Sequence, residues 1–296
     1  MSRAGDILDN PNGGMGGKTV LITGGTSGIG KASAVALAAM GANVVIVGRN
    51  PERGEAALED IRAQSHSESV ELMLADLSEQ DEVRRLADEF LGRHDRLDVL
   101  ANNAGLVQSR RTETADGMET TLAINHLAPF LLTSLLLDRL KESAPSRVIT
   151  VSSEAERMGN IDFDDIQSRH KYRGFPVYGM TKLANIMFTY ELAERLKGTF
   201  VTANCLHPGP VGTNFGKNNA GPMALFFRLA KPFMRSPERG ADTLVWLASS
   251  ADVDGISGKY FSDRKESEAK EVAYDPSARR RLWEISEELT GLKVAA

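Results

Sequence analysis

The chain has 296 residues, of which 42% are apolar and 25% charged; this ordinary globular usage excludes a wholly disordered chain, a collagen and a coiled coil. The 35 basic and 40 acidic residues leave a net charge of −5, which argues against a general nucleic-acid binder, since neutralising phosphates needs a basic surface. One cysteine, Cys205, and five histidines exclude an intramolecular disulfide and a closed Cys/His zinc site, and fit a reducing cytoplasm.

Residues 1–17 are rich in Gly, Asn and Asp and carry no apolar run, so they read as a flexible lead without a signal peptide. No stretch approaches the roughly 20 apolar residues of a spanning helix, so a soluble, cytoplasmic protein is expected. From residue 18 onward, short Val/Ile/Leu-rich runs alternate with segments of helical periodicity. Strands are predicted at Thr19–Thr23, Asn43–Val47, Val70–Leu74, Val99–Asn102, Arg147–Val151 and Val201–Leu206. Helices are predicted at Lys31–Met40, Glu52–Ile61, Gln80–Phe90, Met118–Leu140, Val177–Leu196 and Ser236–Ala248. Unbroken apolar strands alternating with helices imply an α/β, doubly wound parallel sheet of Rossmann type. With no linker or repeat, 18–296 is expected to be a single domain with a C-terminal substrate-binding elaboration.

The first strand runs into Thr23-Gly24-Gly25-Thr26-Ser27-Gly28-Ile29-Gly30, and then a helix begins. Glycines 24, 28 and 30 permit a tight turn and close approach to a pyrophosphate, and the helix N-terminus supplies free N–H groups. Gly24, Thr26, Ser27, Gly28, Ile29 and Gly30 are therefore candidate cofactor contacts. The second strand ends at Gly48-Arg49-Asn50, with Arg49 19 residues beyond Gly30. A base there suits the 2′-phosphate of NADP(H), so NADP(H) is expected in preference to NAD(H); a solvated loop arginine is the plainer reading. Asp76 and Leu77, after the third strand, stand where an acid can accept from an adenine amino group, or cap the helix starting near Ser78. Asn103, Ala104 and Gly105 follow the fourth strand, where small residues admit a ribose.

Asn125 interrupts an apolar run and is read either as a polar functional group or as a core residue bonded to backbone. Ser152-Ser153 closes the fifth strand. Tyr178 and Lys182 share a helix face at i and i+4, where a cation favours phenolate and lowers the pKa of the phenol. Such a Tyr can pass a proton to or from an alcohol oxygen. Any one of these motifs alone is weak.

Together they resemble the short-chain dehydrogenase/reductase family over about residues 18–290. The resemblance implies a Ser153-Tyr178-Lys182 triad supported by Asn125. In it Tyr178 is the acid/base, Lys182 binds the nicotinamide ribose, Ser153 orients the substrate oxygen and Asn125 holds a water linked to Lys182. It also implies that Asp76 and Asn103 touch the adenosine, and that Pro208, Gly209, Val211 and Thr213 hold the carboxamide. The 25-residue step from Ser153 to Tyr178, with Lys182-Leu183-Ala184-Asn185, Asn125-His126-Leu127 and the Trp283 helix, resembles the retinol dehydrogenase-like branch, which includes WW-domain oxidoreductases. That branch implies NADP(H)-dependent interconversion of a lipophilic aldehyde or ketone and its alcohol; relatives in the family are often dimers or tetramers, and a homo-oligomer stays open. A catalytically silent cofactor-binding scaffold and a C=C reductase use the same residues and stay open. The apolar segment Gly221–Leu229, within a substrate flap placed at about 214–235, reads equally as flap or as core or dimer helix.

Overall fold

The computed structural model describes residues 14–211 and 234–292. Most of the expected flap, together with Thr213 and Gly212, lies outside the described residues, as does most of the N-terminal lead.

The strands are β1 (Thr19–Thr23), β2 (Asn43–Gly48), β3 (Val70–Leu74), β4 (Val99–Asn102), β5 (Ser146–Val151), β6 (Val201–His207), β7 (Lys259–Ser262) and β8 (Lys265–Glu266). They form one sheet in the order β3-β2-β1-β4-β5-β6-β7-β8, parallel except for β8. Winding reverses between β1 and β4, so the loops after these two strands open a crevice at the switch point. Strand side chains alternate between faces. Val20 and Ile22 of β1 join Leu37 and Leu244 on one side, while Leu21 joins Phe90, Phe130 and Trp283 on the other. On that second face Trp283 lies edge-on to Phe130 at 4.9 Å, and the Arg195 guanidinium sits 4.3 Å over its ring.

The helices follow local signals. α1 (Gly28–Ala39) starts directly after the glycine loop. α2 (Pro51–Ser65) begins with Pro51, and the Asn50 side chain accepts from Arg53 N at 2.9 Å; α3 is Gln80–Arg93. The expected single helix Met118–Leu140 is instead four pieces: α4 (Thr120–Leu122), a π-helical turn (Ala123–Leu127), α5 (Ala128–Leu135) and α6 (Leu137–Glu142). Pro129 has no N–H for the Asn125 carbonyl four residues earlier, and its ring crowds that carbonyl, so the turn widens around Asn125. α7 (Gly174–Arg195) is buried at every position from Val177 to Ala193, which marks a core helix rather than an amphipathic one. α8 (Pro237–Ser249) and α9 (Pro276–Thr290) complete the layers; α9 is capped by Asp275 and closed by Gly291 at φ 62°.

The strand-helix rhythm continues past Val201–Leu206, the last strand predicted from sequence. α8 leads to β7, which pairs in parallel with β6. Its four residues carry only two apolar side chains, Tyr260 and Phe261, too few to show a strand pattern in sequence. No helix of the described residues is long and apolar enough to cross a membrane.

Candidate active site

The site is built on the C-terminal ends of β1, β4, β5 and β6. After β1, Gly24 (φ 65°) and Gly28 (φ 55°) take the left-handed conformation that tightens the loop. A Cβ on Gly30 would lie 2.4 Å from the Gly24 carbonyl and 2.5 Å from Asn103 Nδ2, so only glycine lets α1 start this close to β1. Asn103 locks the arrangement by donating from Nδ2 to Thr23 O at 2.8 Å, while Asn103 N and Ala104 N donate to Thr23 Oγ1 at 3.0 and 3.1 Å. Ser27 at the α1 N-cap makes no capping bond and no acid occupies the first turn, so the helix end presents its amides to an anion. These residues fit the pyrophosphate of a dinucleotide.

Thr26 packs on the end of β2, its Cγ2 2.4 Å from where a Cβ on Gly48 would stand. The next residue, Arg49, is two-thirds exposed and donates from Nη1 to Asp76 Oδ2 at 3.2 Å. Asp76 Oδ1 accepts from Ser78 N (3.0 Å) and Ser78 Oγ (2.7 Å). Asp76 thus closes a local turn rather than capping α3, whose first amide, Gln80 N, is held by Asp116. Burial raises the Asp76 pKa, but the Ser78 bonds and Arg49 outweigh it and hold the carboxyl below its usual range. Leu77 follows in the same turn. Lys31, one residue past the glycine loop, is turned away to Asp60 of α2.

Four of the expected side chains converge beyond β4 and β5. Tyr178 and Lys182 are buried on α7, with Lys182 Nζ 5.6 Å from the Tyr178 ring centroid. Ser153 reaches the Tyr178 hydroxyl and also caps a 3-10 turn, Glu154–Met158, accepting from Ala155 N at 3.2 Å. A Cβ at Gly105 would meet Lys182 Nζ at 3.3 Å and Asn125 Oδ1 at 3.4 Å, so both flank one spot. Asn125 is spent on structure: Oδ1 accepts from Leu106 N (2.8 Å), and Nδ2 donates to Leu106 O (2.9 Å) and Thr181 Oγ1 (3.0 Å). It ties the loop after β4 to α7.

The adjacent serines separate cleanly. Ser152 Oγ donates to Lys182 O at 2.7 Å, anchoring α7 to β5, and leaves Ser153 to face the phenol. Gly179 allows this approach, since a Cβ there would stand 2.4 Å from Ala155 O. Gly179→Ala is expected to push the Ser153 turn off α7, costing about 1–3 kcal/mol of stability and a larger share of kcat than of cofactor affinity. Chemical denaturation with NADPH titration checks this; equal effects on both would contradict it.

The electrostatics depart from the simple Tyr–Lys picture. Burial pushes the Tyr178 phenol up to about 12, partly offset by Ser153. Burial pushes Lys182 down to about 8. The Lys182 ammonium is turned to Val151 O at 2.8 Å, so it does not lower the phenol in this state. The arrangement is a buried phenol with a buried lysine close by, held on a backbone carbonyl.

After β6, Gly209 (φ 80°) carries the chain under the Arg235 guanidinium, and Arg235 N donates to Pro210 O at 2.7 Å. Val211 and Ile29 of the glycine loop meet over Gly240 of α8, which brings the Pro208-Gly209 segment beside the phosphate loop. His207, not among the candidate site residues, accepts at Nδ1 from Glu154 N at 3.2 Å and joins this segment to the Ser153 turn. A His before Pro-Gly at a strand end was the available signal.

The short chain dehydrogenase family model matches residues 18–222. Human retinol dehydrogenase 14 is 45% identical over 294 residues, covering 94% of this chain and 88% of the relative. A protein of Streptomyces sp. (strain C5), named as a daunorubicin C-13 ketoreductase, is 43% identical over 282 residues with 95% of each chain covered. The crystal structure of an uncharacterized Mycobacterium paratuberculosis protein superposes with a TM-score of 0.79 at 31% identity, covering 97% of this chain and 98% of that one. With a Rossmann-type sheet, a glycine loop fit for a nicotinamide dinucleotide and these relatives, the chain belongs to the retinol dehydrogenase-like branch of the short-chain dehydrogenase/reductase family, oxidoreductases of the CH–OH/C=O couple.

Proposed function

We propose that the protein interconverts a lipophilic aldehyde or ketone and its alcohol with NADP(H), using Tyr178 as the acid/base. The observation that carries this reading is the meeting of half-buried Ser153 with buried Tyr178 and Lys182 at the end of β5, beside the glycine loop. When bound, the nicotinamide supplies or accepts the hydride at the substrate carbon. Ser153 and Tyr178 hold the substrate oxygen; in reduction Tyr178 donates its proton to that oxygen, and in oxidation it takes the proton back. Lys182 stabilises the phenolate as a nearby cation. Gly24, Thr26, Ser27, Gly28, Ile29 and Gly30 would cradle the pyrophosphate, with Leu77, Asn103, Ala104 and Gly105 along the adenosine and ribose. Pro208, Gly209 and Val211 would line the nicotinamide end.

The apolar substrate class is supported by Phe175, whose ring lies 5.9 Å from that of Tyr178, and by exposed Met158 on the Ser153 turn. The relatives' names, retinol and a daunorubicin ketone, also denote bulky compounds.

NADP(H) preference rests on Arg49. Its exposed ion pair with Asp76 is worth under about 1 kcal/mol and is readily exchanged for a 2′-phosphate, a stronger charge-assisted partner. Wild type is expected to show the higher kcat/KM with NADPH, and Arg49→Ala to cut the NADPH/NADH ratio by about 10–100-fold. Steady-state kinetics with both cofactors decides; a wild-type preference for NADH sinks the assignment.

A further inference from the structure

The segment that returns from β8 to α9 reaches across to the Ser153 turn and grips it at two points. That turn, Glu154–Met158, is a single 3-10 turn with Ser153 as its N-cap. Its own bonds are few: Ala155 N donates to Ser153 Oγ at 3.2 Å, Glu156 N to Ser153 O at 3.0 Å and Gly159 N to Glu156 O at 2.9 Å. A 3-10 turn this short holds weakly by itself, so its place against α7 depends on what surrounds it. On the α7 side the contact is backbone on backbone. A Cβ on Gly159 would stand 2.4 Å from the Gly179 carbonyl, and one on Gly179 would stand 2.4 Å from Ala155 O. Such packing stops the turn from moving inward, but it does not keep the turn from moving away.

The tethers come from elsewhere. His207 holds the start of the turn through Glu154 N. Lys270 holds its middle and its end: the Lys270 backbone N donates to Glu156 Oε2 at 3.2 Å, and Nζ donates to Gly159 O at 2.5 Å. Glu156 is fully buried. Partners 114 and 111 residues apart make neither bond a property of local sequence. Lys270 is itself well seated. Its carbonyl accepts from Ala273 N at 2.9 Å, and Ala273 is buried in the cluster that holds Met187 and Tyr190 of α7. The Tyr274 hydroxyl accepts from Ala269 N at 3.0 Å, and its ring lies 5.6 Å from that of Tyr190.

We propose that Lys270 is a positioning residue: it draws the Ser153 turn onto the Gly159–Gly179 stop and so sets the distance of Ser153 from Tyr178. This rests on reading Ser153 as the group that orients the substrate oxygen. Lys270 lies outside residues 18–222, the part matched by the family model, so the grip is supplied by the C-terminal part of the chain. Without Nζ the end of the turn keeps its stop and loses its tether, and Ser153 drifts from the phenol. Displacing an orienting group by roughly 1 Å can cost about 100-fold in rate.

Lys270→Met keeps the stem and the backbone bond to Glu156 and removes only the grip on Gly159. It is expected to lower kcat/KM for carbonyl reduction by about 10–100-fold, mostly in kcat, with the NADPH dissociation constant by fluorescence titration unchanged. Lys270→Arg keeps a charged donor and should recover most of the loss. A double-mutant cycle with Ser153→Ala decides. If Lys270 acts through Ser153, Lys270→Met costs nothing further once the hydroxyl is gone, whereas a residue that only stabilises the fold costs the same in both backgrounds. Equal losses in both backgrounds, or a fall in Tm with kcat/KM unchanged per folded protein, overturn the proposal. If Lys270→Met does not fold, the same cycle is run with Lys270→Gln. Ser153→Ala alone separates the two levels. If it turns over like wild type, the reading of Ser153 is wrong; if it is impaired while Lys270→Met is not, only the role of Lys270 falls.

Discussion

Tyr178→Phe is expected to lower kcat/KM for carbonyl reduction by about 10²–10⁴-fold while leaving NADPH affinity and Tm close to wild type. The ring stays: its contact with Phe175 and the position of Lys182 over its face need no hydroxyl. What disappears is the hydroxyl beside Ser153 that we propose as the proton donor. Burial holds that phenol at about 12, so it is protonated across the working range and ready to donate in the reductive direction. NADPH consumption with an aliphatic ketone, measured at matched folded protein, checks this. Equal consumption by wild type and variant would remove Tyr178 from the chemistry, and a Tm loss of many degrees would mean that its role is packing.

The second large effect is a trade of activity for stability at Lys182. Lys182→Met is expected to reduce turnover by at least about 10²-fold and to stabilise the fold at pH 7 by about 1–3 kcal/mol. Burial depresses the lysine from 10.5 to about 8, so between those values the unfolded chain binds more protons than the native one. Native stability therefore rises as pH goes from 8 to 10.5, and below pH 8 the buried ammonium imposes its full cost. Methionine fills the same slot without a charge, giving up only the bond to Val151 O. The gain in Tm should be about 2–8 °C at pH 7 and should shrink towards pH 10 as wild type sheds its proton. A variant less stable than wild type at pH 7 would show that the Val151 bond outweighs the desolvation.

Much of the framework was legible because it is written in local chemistry. β1, β3 and β4 fall at the residues expected from their Val/Ile/Leu runs. The Asn50-Pro51 start of α2 is a short-range signal that needs no tertiary partner. The break at Pro129 was present in sequence too, yet the surrounding apolar periodicity masked it; only the π-helical turn shows that Asn125 sits where a carbonyl has lost its helical donor. β7 was hidden for the opposite reason, being too short to show a pattern and held by register with β6.

The site divides along the same line. The order of strands and helices, the Gly24/Gly28/Gly30 spacing and the i, i+4 placement of Tyr178 and Lys182 are properties of the sequence alone, because turn geometry and helix pitch depend on neighbours within a few residues. Which of two adjacent serines faces the phenol, that Asp76 binds Ser78 and Arg49 rather than α3, and that Lys182 rests on Val151 O are decided by residues 27 to 31 positions away or by a local competition for one carboxylate. The ionisation of the pair was set there as well. A lysine one turn from a tyrosine argues in sequence for a lowered phenol pKa. Folding buries both groups and turns the ammonium to a backbone carbonyl, and desolvation, which no local pattern encodes, outweighs the pairwise charge.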